Sequence, residues 1–220
     1  MKVKLIRYTE KPLEAIASAA AITRGITYDE YIKSGKDPKK LIQHCYESGH
    51  WSVFEFADFD FEVEGASRVF ETQCVRSRLA SYEWESGRHD QEYEPCSHVP
   101  KSVITSIYDG IFSYDVLSST HKPEIARYTL PQGVARKARI KRNFRNLMET
   151  AMIRLCTKAQ AEYRVFMSEC KTLVAAVDPY LASLLVPKCQ VYLYCNENEP
   201  CGDTISKKEA QGLIDKAKLH

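Results

Sequence analysis

The stretch "RSRLASYEWESGR", residues 76–88, sets Arg76, Arg78 and Arg88 among serines, aromatic rings and glutamates. A guanidinium is a flat fork of five donors that grips phosphate or carboxylate oxygens in pairs and stacks on rings. Three of them so close point to holding something anionic or planar rather than to breaking a bond. A second basic run, "RKARIKRNFR" (136–145), has six Arg or Lys in ten positions and no acid. It reads either as a solvated edge strand, where lysines block stray pairing, or as part of an anion site if other arginines converge on it. Further on, Arg154 follows Leu147 and Ala151 on one helical line, a mostly apolar face. A charge there must be paired or face a cleft.

The thiols are a weaker signal. Eight cysteines would suggest disulfides in a small secreted chain, but nothing in the N-terminal "MKVKLIRYTE" resembles a signal peptide. Cys45, Cys74, Cys156 and Cys170 fall in helical patterns as small core residues. Cys189, Cys195 and Cys201 recur every six residues without C-x-x-C or a nearby histidine, so no zinc ribbon is read and no metal is assigned. A redox or metal role for that tail stays open.

The elements that must position these groups follow from pattern. Lys2–Tyr8 alternates as a strand, and Pro12–Thr23 is helical. Asp37 caps a helix from Pro38 through Ser48, which Gly49 ends. "FADFDFEVE" sets Phe59, Phe61 and Val63 against Asp58, Asp60 and Glu62, a half-buried strand that Gly65 should break. Ser67 caps a helix to about Arg76, with Val69, Gln73 and Arg76 on one face. Residues 79–95 read as extended and irregular. Helices follow over Ser102–Ser119 and Ile125–Thr129, the latter halted by Pro131, and then a strand over 134–142. Asn143 caps a helix covering most of 144–170, with Lys158 in line with Arg154, and a last helix covers Pro179–Leu185. The expected architecture is α+β in a single domain over 1–220.

Composition narrows the class. Apolar residues make up 44% and charged residues 27%, ordinary for a globular chain. The net charge of +2 argues against a chain-wide nucleic-acid field. The apolar runs are too short for a bilayer, and a cytoplasmic location follows. Neither G-x-G-x-x-G nor G-x-x-x-x-G-K-[ST] is present, so any nucleotide must be held by arginines and helix ends.

The stretch Gln73–Arg88 resembles the signature of the flavin-dependent thymidylate synthases, the ThyX family: R-H-R, seven residues, serine, and an arginine two positions on. Arg76, Ser77, Arg78, Ser86 and Arg88 occupy those positions. "ESGHWSVFEF" is similar to the family's H-x-[ST]-x-x-E through His50, Ser52 and Glu55. "EIARYTLP" resembles E-x-A-R-x-x-L-P, and "NFRNLMETAMIRLCTKAQAEYR" resembles the family's later helix, with Arg154 on its second arginine. The likeness is strongest over residues 45–202.

That resemblance implies an FAD-dependent enzyme that methylates C5 of dUMP. Methylenetetrahydrofolate would be the one-carbon donor, and NADPH the hydride source. It implies a ThyX-like fold, a central mostly antiparallel sheet with flanking helices, and a homotetramer whose sites combine residues of several subunits. Carried over by position, Gln73, Ser86, Arg88, Arg127 and Arg154 would contact dUMP, with Arg154 and Ser86 at the reacting ring. His50, Ser52, Glu55, Arg76, Ser77, Arg78, Asn143 and Lys158 would surround FAD. Three positions depart from the pattern: Ser77 stands for the histidine of R-H-R, Trp84 for a usual Glu or Gln, and Lys158 for a later histidine. They leave open a related chemistry such as hydroxymethyl transfer to a pyrimidine nucleotide. Blander roles also stand: His50 as a helix-end residue, Ser86 as a turn former, Glu83 and Glu85 as counterions, Arg127 as a surface cation. A competing class is a non-catalytic module that uses the 136–145 strand and exposed aromatics for single-stranded nucleic acid.

Overall fold

The computed structural model describes residues 1–88 and 92–217, with side chains to residue 214. By contacts the chain divides into two compact units, Met1–Asn146 and the remainder from Leu147. The first carries β1 (Lys2–Tyr8), β2 (Asp58–Ser67), β3 (Ala80–Trp84) and β4 (Ala135–Asn143). They form one antiparallel sheet in the order β1-β2-β4-β3. Helices α1 (Pro12–Ile22), α2 (Tyr28–Lys33) and α3 (Pro38–Glu47), with a 3₁₀ turn Trp51–Phe56, connect β1 to β2. Helix α4 (Arg68–Cys74) joins β2 to β3; α5 (Ile104–Ser118), α6 (Pro123–Ala126) and a 3₁₀ turn Arg127–Thr129 lead to β4.

The alternation in β2 does what its pattern dictates. Phe59, Phe61 and Val63 are fully buried, each worth about 1.5–3 kcal/mol of apolar burial. Phe54 and Phe59 meet Phe144 at 6.0 and 5.9 Å between ring centroids. Asp60 is buried too, because Arg139 of β4 grips its carboxylate with two bonds of 2.9 and 2.8 Å. Lys141 pairs with Asp58 at 2.7 Å. A second cluster, Tyr93, Ile111, Tyr114, Ala126 and Val134, packs under α5 and α6. It fixes the turn that follows α6.

Side-chain caps start the helices that matter most here. Asp37 accepts from the Lys39 amide at 2.9 Å, and Gly49, at φ 73°, leaves α3 in the left-handed region. Ser67 accepts from the Phe70 amide at 3.0 Å, and Asn143 from the Asn146 amide at 2.8 Å. The cap on Asn143 starts α7 (Phe144–Arg154). The second unit continues with α8 (Ala161–Val177), α9 (Pro179–Ser183), α10 (Lys188–Tyr192) and α11 (Lys207–Ala217). Along α8 the buried Tyr163, Phe166, Met167, Cys170 and Val174 recur at three- and four-residue spacing. No helix among the described residues is long and apolar enough to cross a membrane, and all eight cysteines are free thiols.

Several expectations need correction. Gly65 does not end β2: the strand absorbs its φ of 76° as a register shift between Glu64 and Ala66 and runs on to Ser67. The basic strand is not an edge; β4 lies between β2 and β3. Helix α4 stops at Cys74, so Arg76 leaves the face it was to share with Gln73. The helix expected over 144–170 is two, broken over 155–160, where the Arg164 guanidinium takes the Thr157 carbonyl at 2.8 Å and the Ala159 carbonyl at 3.3 Å. Lys158 lies in that break and not in line with Arg154. Part of the irregular stretch 79–95 is β3, and residues 89–91 lie outside the described residues. Helices α2, α10 and α11 were not anticipated.

Candidate functional site

Strand β4 reads Arg136, Ala138, Ile140, Arg142 on its buried face. The strand period of two thus sets one arginine at each end of the sheet's inner side. Each of these buried arginines underlies one cluster of candidate residues.

At the Arg136 end, β3 finishes at Trp84 and the turn Glu85–Arg88 begins. Glu85 is tied to β4 by its amide, which donates to the Lys137 carbonyl at 3.0 Å, and by its carboxylate, which accepts from the Lys137 amide at 3.1 Å. Arg136, 8% exposed, donates to the Glu85 carbonyl and pairs with Glu71 of α4 at 3.1 Å. Over this turn lies a cavity of about 570 Å³ whose lining includes Arg68, Ser86, Arg88, Arg127 and Arg136. Glu71 neutralises Arg136. Arg68, Arg88 and Arg127 have no ion pair among the described residues, so the cavity is net positive and suited to a phosphate. Ser86 accepts from the Arg88 amide at 3.3 Å, which fixes the turn and sets the serine beside the guanidinium. Trp84 walls the same cavity, edge-on to Phe70 at 6.0 Å, its indole N–H buried without a partner among the described residues. Gln73, one turn along α4, is not part of the lining.

At the Arg142 end, the loop 75–79 carries Arg76, Ser77 and Arg78 into β3. Register pairs Ala80 with Arg142 and Asp58 with Asn143. That brings the loop, Asn143 and the end of the Trp51–Phe56 turn to one end of the sheet. Arg76 and Arg78 are exposed and have neither ion pair nor side-chain hydrogen bond among the described residues. Phe56, Val75 and Leu79 are exposed large apolar side chains of the same segments. His50 and Ser52 are exposed, and Glu55 pairs with Arg145 at 2.7 Å. Below the loop, burial of the Tyr82 phenol pushes it up to about 12, with the Arg142 guanidinium pulling the other way.

In the second unit, Arg154 ends α7 with its guanidinium 4.5 Å from the Tyr163 ring centroid. It lines a separate cavity of about 340 Å³ with Lys158, Cys156, Cys189, Cys195 and Cys201. Lys158 pairs with Glu199 at 3.2 Å.

Residues 4–180 match the family model described as Thymidylate synthase complementing protein. The chain belongs to this family. Within it, the flavin-dependent thymidylate synthase of Sulfurisphaera tokodaii is 31% identical over 91% of this chain and 83% of its own length. The enzyme of that name from Pyrococcus furiosus is 31% identical over 90% and 91%. The crystal structure of ThyX from Helicobacter pylori, complexed with FAD and dUMP, superposes with a TM-score of 0.72 at 21% identity, covering 84% of this chain and 100% of that one. That likeness shows a shared fold.

Of the site residues expected for this family, Ser86, Arg88 and Arg127 share one cavity, while Arg76, Ser77, Arg78, Asn143 and the His50–Glu55 segment gather at the other end of the sheet. Sequence reasoning missed Arg68 and Arg136 at the first end and Arg142 at the second. The period-two pattern R-x-A-x-I-x-R was the available signal: its outer members share a face with Ala138 and Ile140.

Proposed function

We propose that this protein is a flavin-dependent thymidylate synthase, converting dUMP to dTMP with methylenetetrahydrofolate as the one-carbon donor. FAD, when bound, supplies the hydride chemistry, taking reducing equivalents from NADPH. The observation that carries the reading is the net positive cavity where Arg88 and Arg127, on motif positions that the family resemblance assigns to dUMP, meet Arg68, none of the three ion-paired among the described residues. Arg88 and Arg127 hold the phosphate, with Ser86 beside it. Gln73 is assigned to the nucleotide by position only. Arg154, which lines the other cavity, is assigned to the uracil by position, where it would stabilise negative charge that develops on the ring during attack.

The flavin-end residues fit an anionic, flat cofactor: two exposed cations, Arg76 and Arg78, flank Ser77, and apolar Phe56 and Leu79 are exposed on the adjoining segments. His50, Ser52, Glu55, Asn143 and Lys158 complete the flavin assignment. The two sets lie at opposite ends of β3, whose five residues span about 16 Å. A nucleotide held at one end and a flavin anchored at the other are far enough apart for the second to come from another subunit. This supports a homotetramer in which one subunit's nucleotide end meets another's flavin end, with the whole chain acting as one functional domain. Eight free thiols and the folate and NADPH requirement favour the cytoplasm. The nucleic-acid reading is weakened, since of the six cations of 136–145 Arg139, Lys141 and Arg145 are ion-paired, Arg136 and Arg142 are buried, and Lys137 is left exposed without an ion pair among the described residues.

The test is product analysis with dUMP, FAD, NADPH and labelled methylenetetrahydrofolate. Labelled dTMP is the expected product. A 5-hydroxymethyl nucleotide would favour the altered chemistry that Trp84 in the cavity wall raises, and no labelled nucleotide would sink the enzyme reading.

A further inference from the structure

The loop that bears Arg76 and Arg78 is held from below by a wholly buried arginine. Arg142 is 0% exposed. Its Nη1 donates to the Ser77 Oγ at 3.0 Å and to the Asn146 Oδ1 at 2.6 Å. Its Nη2 donates to the Tyr82 hydroxyl at 3.0 Å and to the Cys74 Sγ at 3.4 Å. The guanidinium also lies 5.5 Å from the Tyr82 ring centroid. Two more bonds converge on the same serine. Asn146 Nδ2 donates to its Oγ at 3.0 Å, and the Tyr82 hydroxyl donates to its carbonyl at 2.8 Å.

Ser77 is therefore fixed through both side chain and backbone, while its neighbours on either side stay exposed. The four partners of Arg142 just named are neutral groups, so it is hydrogen bonds from Nη1 and Nη2 that sustain the cation here. A loop without regular structure would otherwise lose its freedom at the moment of binding, and fixing its centre in advance removes that cost. The geometry also accounts for R-S-R. A serine is short enough to sit against the buried guanidinium, whereas an imidazole at position 77 would compete for the same space and could add a second cation.

We propose that Arg142 is the positioning residue for the R-S-R loop, holding Ser77 so that Arg76 and Arg78 are presented to the anionic groups of a bound flavin. The proposal rests on the flavin reading above. It makes Ser77 and Arg142, 65 positions apart, a working pair.

The test compares wild type with Ser77→Ala, Ser77→Thr and Arg142→Met by two readouts. One is hydrogen–deuterium exchange of the 75–79 amides in ligand-free protein. The other is FAD affinity from quenching of flavin fluorescence. Ser77→Ala and Arg142→Met should each exchange this loop faster and bind FAD about tenfold more weakly, since both lose the charge-assisted hydrogen bond from Arg142 to Ser77. Ser77→Thr, which keeps the hydroxyl, should stay near wild type in both. If Arg142→Met fails to fold, the contrast between alanine and threonine at position 77 still decides. Unchanged loop exchange in Ser77→Ala overturns the anchor, and faster exchange with unchanged FAD affinity overturns its role at the cofactor. Wild-type protein that binds no FAD overturns the flavin reading itself, and the wild-type control tells this apart.

Discussion

A guanidinium with no carboxylate beside it keeps its full attraction for an incoming phosphate, and this separates Arg88 from Arg136 although both line one cavity. Arg136 is buried, paired with Glu71 and bonded to the Glu85 carbonyl, so its work is to hold the turn. Arg88 is exposed and has no ion pair among the described residues. Arg88→Ala should weaken dUMP binding by about 10- to 100-fold, the worth of charge-assisted hydrogen bonds. Its thermal midpoint should be unchanged; calorimetric titration beside a melting curve checks both. Tyr82 offers a pH test. Burial first, opposed by Arg142, lifts its phenol from 10.0 to about 12. Stability held by the neutral phenol is fully present below pH 10 and is lost as pH rises through about 12. Urea denaturation of wild type should weaken across that window, and Tyr82→Phe should show a shallower decline there.

Elements carry these residues to their places, and some were easier to read than others. The strand over Lys2–Tyr8, the Asp37 and Asn143 caps and the start of α4 at Ser67 were legible because local chemistry decides them. The end of α7 was not. An Arg164 guanidinium capturing two carbonyls is a tertiary event that leaves no local trace, and it moved Lys158 off the line of Arg154. The continuation of β2 past Gly65 was missed because a glycine that breaks a strand and one that bulges it look the same in sequence. The motif positions were readable one by one, but their division between two ends of a sheet depends on register. Helix α5 matters here through Gly110. An added Cβ would lie 2.8 Å from the Pro131 Cδ and 3.1 Å from the Thr129 carbonyl oxygen, rigid parts of the turn that bears Arg127. Gly110→Ala should cost about 1–3 kcal/mol by overpacking. It should also raise the KM for dUMP as Arg127 shifts; denaturant titration and steady-state kinetics measure the two effects.

At the scale of the whole molecule, the proposed homotetramer joins the nucleotide end of one subunit to the flavin end of another. Arg88→Ala and Arg78→Ala subunits, mixed and allowed to exchange at dUMP and FAD concentrations too low to fill either variant's weakened site, should regain activity toward about a quarter of wild type, since random pairing rebuilds intact sites from two different chains. Sites contained in a single chain would regain none. The most direct measurement is the visible spectrum of the FAD-loaded protein during titration with dUMP. Flavin bands should shift saturably with dUMP, and in Arg88→Ala the shift should need about 10- to 100-fold more dUMP, because the phosphate grip and the flavin meet in the proposed assembled site. A flavin spectrum indifferent to dUMP, in protein that binds both, would contradict it.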